Sequence, residues 1–486
     1  MSEEAMAYLL RVEAVNLCNF VYDTNKIQPM RGGGFLLLDS VQKLAEEDSN
    51  KSKPSFSGVS LEKITTGASI GLFSFNASHD DAQKVADAVL ENLNKATQNH
   101  ATFVIDWVPS GGNETFKEDL ALLEAKNRWR QYQQPTLVIP MPNQSLAECE
   151  IDGVRPAGSN KLKSSESVYF RTVEGSKLRQ RIYNRILKPD NCDHEFTDDL
   201  HELSSDKTKE NLNDKIAFIY LDGNKFGKIK SLKCSTASQL TDFSNLVESV
   251  RRTFLGSLLS QTASDSDFKT NDRIRLETLL WGGDELEIIV PAWKGWQVLQ
   301  ELYKHLGTAS FDGIDLTHAG GVVFCNCKAP ILQVRAMAHA LAEIVKDAVA
   351  FKDDFENIEN ISHDKHNAFH ALVLESFDTI STDVTTFADS WYGKGTFDLL
   401  RITPEKMITI ENAIKTMKEK QFPRNKIFDI VKAAKSGLDV KTCLDRALDG
   451  LEGQDEIREK IDLCCCGENK RWFLISEFWD YVGRNA

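Results

Sequence analysis

A chain of 486 residues, 41% hydrophobic and 27% charged, is too long for one hydrophobic core, and domains of roughly 100–200 residues predict two to four of them. The formal net charge of −14 excludes nonspecific adhesion of the whole surface to nucleic acid, so any polyanion must bind locally. No run of about 18 apolar residues occurs, the start Met1-Ser2-Glu3-Glu4 lacks a basic secretory signature, and ten irregularly spaced cysteines do not form a disulfide pattern; these predict a cytoplasmic protein with no membrane partner.

Residues 7–22 read as a strand, and apolar periodicity around Phe35 to Leu44 as a helix. Thr66 to Phe75 is a second strand region, Asp80 to Leu93 an amphipathic helix, Ala101 to Val108 a further strand and Gln134 to Pro140 a short one. From about Ala147 to Asp214 the composition turns polar, predicting a connector with its own small structure rather than core. A second α+β unit follows: a strand over 216–222, a helix from Gln239 to Leu259, a hairpin from Arg273 to Val290, a helix from Trp293 to Leu306, a strand from Thr317 to Phe324, a helix from Ile331 to Ala350 and a strand from Phe369 to Leu374. That β-α-β-β-α-β order predicts a ferredoxin-like domain. The first unit reads as a weaker copy, with Arg11-Val12-Glu13-Ala14-Val15-Asn16 falling where Tyr220-Leu221-Asp222-Gly223-Asn224-Lys225 falls in the second. Beyond Thr396 the periodicity is helical, with Pro404 placed to open a helix and Gly437 to close one.

The chemistry concentrates in the second unit. Asp222 closes a continuous apolar run, and Trp281-Gly282-Gly283-Asp284-Glu285-Leu286 presents two adjacent carboxylates at a predicted hairpin tip, where the two glycines would supply positive φ. Either turn alone reads more readily as ordinary turn chemistry. Together, on neighbouring strands, Asp222, Asp284 and Glu285 would form a site for Mg²⁺ or Mn²⁺, with the Gly223 carbonyl as a further oxygen ligand. The loop Gly223-Asn224-Lys225-Phe226-Gly227 could turn backbone N–H groups and a lysine toward phosphate. On the Ile331 to Ala350 helix, Arg335 and Lys346 stand off the apolar face, either to reach a triphosphate or as a solvated basic edge.

These motifs, with Ala319-Gly320-Gly321-Val322-Val323 leading to Pro330 and Lys346, resemble the palm-domain large subunit of type III CRISPR effector complexes, and more distantly the GGDEF diguanylate cyclases. The resemblance implies an α+β fold of two ferredoxin-like palm domains: a degenerate palm over 1–145, a polar connector over 146–213, a catalytic palm over 214–395 and a C-terminal helical domain over 396–486. It further implies an ATP-using nucleotidyl cyclase making cyclic or linear oligonucleotide second messengers in antiviral signalling. The divalent ion would sit on Asp222, Gly223, Asp284 and Glu285. Nucleotide would meet Gly223, Asn224, Lys225, Phe226, Gly227, Gly282, Gly283, Arg335 and Lys346. Implied partners are nucleoside triphosphates, other subunits of a defence ribonucleoprotein or a second copy of the chain, and a downstream effector that senses the product. The sequence departs from the family in carrying Asn224 where a second aspartate is common, and Glu285 where Gly-Gly-Asp-Asp is common. The alternatives are a non-catalytic nucleotide-binding scaffold and a diguanylate-type cyclase, the latter disfavoured because Phe226 is followed by Gly227-Lys228-Ile229 without an Asn-Asp pair.

Weaker signals remain. His79-Asp80 opens an amphipathic helix, where Ser78 or Asp80 reads as an N-cap rather than part of a His-Asp nuclease centre. Cys149-Glu150-Ile151-Asp152 and Cys192-Asp193-His194 lie in the connector, where the resembled family can carry a Zn²⁺ knuckle, but with one cysteine short and no second Cys-x-x-Cys they read against structural Zn²⁺. Cys325-Asn326-Cys327 reads as packing, Cys464-Cys465-Cys466 as a helix C-terminus, and Trp293, Trp296, Trp472 and Trp479 as core.

Overall fold

The computed structural model describes residues 5–46, 53–134, 147–158, 161–186, 195–348, 351, 354–375 and 383–482. The strand expected over Gln134 to Pro140 and the Cys192-Asp193-His194 segment lie outside them. The chain is a mixed α+β protein. In order it forms β1 (Met6–Val15), α1 (Ile27–Gln42), β2 (Glu62–Thr66), β3 (Ile70–Ala77), α2 (His79–Ala96), β4 (Thr102–Pro109), α3 (Phe116–Gln131) and α4 (Glu166–Ile186). Then come β5 (Glu195–Phe196), α5 (Leu200–Ser204), β6 (Lys215–Gly223), α6 (Phe226–Lys233), α7 (Ala237–Ser264), β7 (Lys269–Thr270), β8 (Arg273–Ile274), β9 (Glu277–Gly282) and β10 (Glu285–Pro291). The last labelled elements are α8 (Ala292–Leu306), β11 (Ser310–Phe311), β12 (Ile314–Asp315), β13 (His318–Asn326), α9 (Ile331–Lys346) and β14 (Ala368–Val373).

Two compact units result: one of residues 1–195, 225–256 and 278–287, the other of 196–224, 257–277 and 288–486. In the first, the strands run in the order β2-β3-β1-β4, with β1 antiparallel to both β3 and β4. The single strand expected over Thr66 to Phe75 is instead the hairpin β2–β3, because Gly67 lies in the turn and donates its N–H to the Ile70 carbonyl. Helix α2 is capped as its sequence predicts, the Ser78 side chain accepting the Asp81 N–H, and it buries Ala82, Val85, Ala86, Val89 and Leu93.

The segment read as a connector rather than as core contains the 21-residue helix α4, and its burial, with Val168, Leu178 and Tyr183 in the interior, is a correction. Its polar residues are buried in pairs. Arg171, fully buried, donates twice to the Asp23 carboxylate at 2.8 Å, and Arg155 adds a third donor at 2.5 Å. Bidentate guanidinium–carboxylate geometry offsets the desolvation that an isolated charge would suffer. The crossing of α4 with α1 needs glycine: a Cβ on Gly175 would stand 2.2 Å from the Gly32 Cα. Asp152 is likewise saturated, accepting from the Val154 and Arg155 N–H groups, the Arg155 guanidinium and the Ser165 hydroxyl, while Cys149 lies buried beside it. Burial alone would push the Asp152 carboxyl up, and those hydrogen bonds outweigh it and hold it below the ordinary range. A saturated carboxylate has no lone pair to spare for zinc.

In the second unit β6 pairs antiparallel with β13, and β13 pairs parallel with β14. The sheet to which they belong runs β14-β13-β6-β10-β9. Six successive residues of β6, Ile216 to Leu221, are buried, as a strand covered on both faces requires, and α8 and α9 pack on it. The C-terminal helices follow their local signals. Thr403 caps the helix Pro404–Glu419 with Pro404 in its first turn, Gly437 at φ 68° ends Arg424–Ser436, and Cys466 at φ 50° ends Gln454–Cys465.

Two outcomes test this packing. The Glu477 carboxyl receives the Tyr392 hydroxyl, yet desolvation pushes it up to about 8 from an unfolded value of 4.5. The folded state therefore favours the protonated acid, so this contribution is full below 4.5 and is lost as pH rises to about 8. Glu477→Gln should flatten the fall of the thermal midpoint across that window, and an unchanged slope would contradict the assignment. Separately, a Cβ on Gly282 would stand 2.2 Å from the Ala68 nitrogen. Gly282→Val should therefore cost about 1–3 kcal/mol, read as a thermal midpoint lowered by several degrees.

Candidate functional site

The strands β9 and β10 form the predicted hairpin, and its tip, the two-residue turn Gly283-Asp284, lies in the first unit. Only Gly283 has positive φ, at 56°; Gly282 ends β9, where its missing side chain admits the Ala68 backbone. The expectation that both glycines supply positive φ is therefore corrected to one for the turn and one for close approach. Asp284 and Glu285 are half-buried, at the tip and at the first position of β10.

The turn is held by a residue the sequence reading did not single out. Arg251 of α7, 4% exposed, donates to the carbonyl oxygens of Gly282 at 3.1 Å and Glu285 at 3.0 Å, one on each side of the turn, with its guanidinium 5.9 Å from the Trp281 ring centroid. A buried guanidinium needs acceptors, and these carbonyls and the ring face provide them. The available signal was a charge in the apolar stripe Val247, Arg251, Phe254, Leu255, Leu258 of a helix otherwise recognised.

Beside the tip lies a cavity of about 590 Å³. Gly282, Gly283 and Asp284 form part of its wall, Phe226, Phe243 and Trp281 offer aromatic surface, and Arg11, Lys117, Lys230 and Arg251 supply positive charge. Phe226, the first residue of α6, is 2% exposed and meets Phe243 edge-on at 5.7 Å. Lys225 before it is exposed, with φ at 57°, and Gly227 lies on the cavity wall. Arg11, Lys117 and Lys230 were also missed in the sequence, because they come from separate elements with no common period.

In the second unit Asp222, the next-to-last residue of β6, lies opposite Ala319 of β13 and its carboxylate is ion-paired with Lys346 at the end of α9. Lys346 also reaches Glu343 at 2.6 Å. Burial disfavours the ammonium, but hydrogen bonds to Asp222 and Glu343 outweigh it and hold Lys346 above the ordinary lysine range. Asn224 is turned inward, 1% exposed, its amide donating to Thr317 Oγ1 at 3.0 Å and the His366 carbonyl at 2.9 Å. Its backbone N–H is spent on the Thr317 carbonyl at 2.8 Å, so this member of the Gly223 to Gly227 loop turns neither side chain nor N–H toward phosphate, contrary to the sequence reading. Arg335 is half-buried on α9, eleven residues before Lys346 and so about 16 Å away along the helix axis. The two cations do not share one environment. His339 between them stacks on Tyr220 of β6 at 3.6 Å.

Among the described residues the cluster of His, Cys, Asp or Glu spaced for a metal is His201, Asp214 and Cys327. His79 meets the Trp107 ring edge-on at 5.7 Å in the first turn of α2. Among the described residues no helix is long and apolar enough to cross a membrane.

No protein-family model matches this chain, and no curated protein matches its sequence. Solved structures do match. Csm1 of T. onnurineus aligns with a TM-score of 0.55 at 12% identity over 99% of this chain and 70% of its own. The Csm1-Csm4 cassette in complex with AMPPNP aligns with a TM-score of 0.51 at 11% identity over 98% and 70%. The structural neighbours of this chain are thus the Csm1 proteins of the type III CRISPR Csm1-Csm4 cassette, and the chain shares their fold.

Proposed function

We propose that this chain is a nucleotidyl cyclase that joins ATP into cyclic or linear oligonucleotides in type III CRISPR-like antiviral signalling in the cytoplasm. The observation that carries the reading is the cavity of about 590 Å³ whose wall combines an acidic hairpin tip, aromatic surface and four cationic side chains. A nucleoside triphosphate has the complementary parts: a flat base for Phe226, Phe243 and Trp281, and phosphates for Arg11, Lys117, Lys230 and Arg251. The AMPPNP complex of the Csm1-Csm4 cassette supports an adenine nucleotide as ligand. In both sheets the first, second, third and fourth main strands stand in the same order, second-third-first-fourth, which supports two ferredoxin-like palms, the first degenerate and the second catalytic. The division into 1–145, 146–213, 214–395 and 396–486 belongs to the same proposal.

Asp222, Asp284, Glu285 and the Gly223 carbonyl are all hard oxygen donors, which fits Mg²⁺ or Mn²⁺. Such ions acidify an attacking ribose hydroxyl and neutralise the polyphosphate. The chain's own residues do the rest. Arg251 keeps the turn in place so that Asp284 needs no reorganisation, the cationic wall orients the phosphates, and Lys346 gives Asp222 a fixed counter-charge. A ribose oxygen would then bond to the α-phosphorus of a second nucleotide as the bond to pyrophosphate breaks and the hydroxyl proton leaves to solvent. Partners of this activity would be other subunits of a defence complex or a second copy of the chain, and an effector that reads the product.

The pairing of Asp222 with Lys346 favours a second reading, a scaffold that binds nucleotide without turnover, since that acid already has an internal counter-charge. Mass spectrometry of products from an equal mixture of the four ribonucleoside triphosphates with manganese separates the readings. The cyclase yields oligoadenylates, a scaffold yields ATP-dependent thermal stabilisation without product, and a diguanylate-type enzyme consumes GTP. Asp284→Ala with Glu285→Ala should lower product formation at least a thousandfold with little loss of stability; undiminished synthesis would end the proposal. Arg251→Ala should lower turnover 10²-fold or more by loosening the turn, and Arg251→Lys should restore only part of it because one ammonium cannot reproduce the planar fork.

A further inference from the structure

Three side chains far apart in sequence meet at the other end of β6. His201 comes from α5, Asp214 directly precedes β6, and Cys327 directly follows β13. Their ligand atoms all lie within 4.8 Å of one another. Asp214 is held from both sides by the backbone: its N–H donates to the Ser204 carbonyl at 2.9 Å, and its carbonyl accepts the Cys327 N–H at 2.8 Å. These bonds keep it at φ 60°, a left-handed conformation that few residues other than glycine adopt. One carboxylate oxygen, Oδ2, accepts the Asn213 amide at 2.9 Å. The other, Oδ1, is buried and accepts no hydrogen bond, with His201 Nδ1 3.2 Å from it. A buried carboxylate oxygen left without a donor is costly unless a cation completes it.

We propose that His201, Asp214 and Cys327 bind a borderline-soft divalent cation, Zn²⁺, through one nitrogen, one oxygen and one sulfur, with water as fourth ligand. Imidazole, carboxylate and thiolate are the donors zinc selects, whereas magnesium avoids sulfur and nitrogen. Zinc bonds of about 2.0–2.3 Å in tetrahedral array place ligand atoms roughly 3.4–3.6 Å apart, so closure needs about 1 Å on the widest edge. His201, with its side chain 69% exposed on a five-residue helix, is free to supply it. On binding, the Cys327 thiol gives its proton to solvent and the thiolate bonds to the metal, with no change of oxidation state. The site would fasten α5 to the start of β6 and the end of β13. It lies about 26 Å along β6 from Asp222, and so is independent of the proposed catalysis.

The test uses the full chain stripped of metal with a chelator and titrated with Co²⁺ and Zn²⁺. Cobalt should produce a near-ultraviolet thiolate-to-metal charge-transfer band, and stoichiometric zinc should abolish that band while raising the thermal midpoint by several degrees. Cys327→Ser should remove the band. His201→Ala, at an exposed position where folding is not at issue, should weaken cobalt binding at least tenfold, while Cys466→Ser should leave it unchanged. A band that survives in Cys327→Ser, or cobalt affinity in His201→Ala equal to that of the parent, would overturn the proposal.

Discussion

The acidic turn depends on one buried guanidinium. The tip, Gly283-Asp284, stands at the margin of a cavity. Arg251 takes the carbonyl on either side of Gly283-Asp284 and lies near the Trp281 ring, so three groups satisfy one charge and the charge in turn holds the tip. The arrangement is reciprocal: the carbonyls help to compensate a buried cation, and the cation gives those carbonyls a charged donor. Positioning a carboxylate by a buried neighbour that is itself held in place is the economy that preorganised sites rely on.

Strand β6 plays the corresponding part in the second unit. Because Ile216 to Leu221 are buried and hydrogen-bonded to β13, its ends are fixed points from which side chains project. At one end Asp222 is matched by Lys346, while Asn224 just beyond it joins the strand to Thr317 and His366. At the other end Asp214 is pinned by Ser204 and Cys327. Polar groups thus sit only where the strand leaves its apolar cover, which is where desolvation costs least.

Much of this architecture was legible in the chain. The apolar run ending at Asp222, the double glycine before Asp284, the N-cap at Ser78, Pro404 and Gly437 are short-range signals, and each marks the element end or turn it predicted. What misled was composition. The stretch around α4 looked like a connector because its arginines and aspartates neutralise one another in the interior, and no window of sequence reveals that Arg171 and Arg155 both meet Asp23. The loop after Asp222 likewise looked ready to bind phosphate, until Asn224 was found facing inward.

By itself the sequence determined many of the strands and helices and where acids stand at strand ends, because periodicity, caps and turn glycines act over a few residues. Only the tertiary structure decided which charge meets which acid. Arg251 finds a turn more than thirty residues away, Lys346 reaches Asp222 across 124 positions, and Cys327 joins His201 and Asp214 from another strand. Such pairings follow from how apolar faces close on one another, and a buried polar group then takes the partner that the closed core leaves within reach.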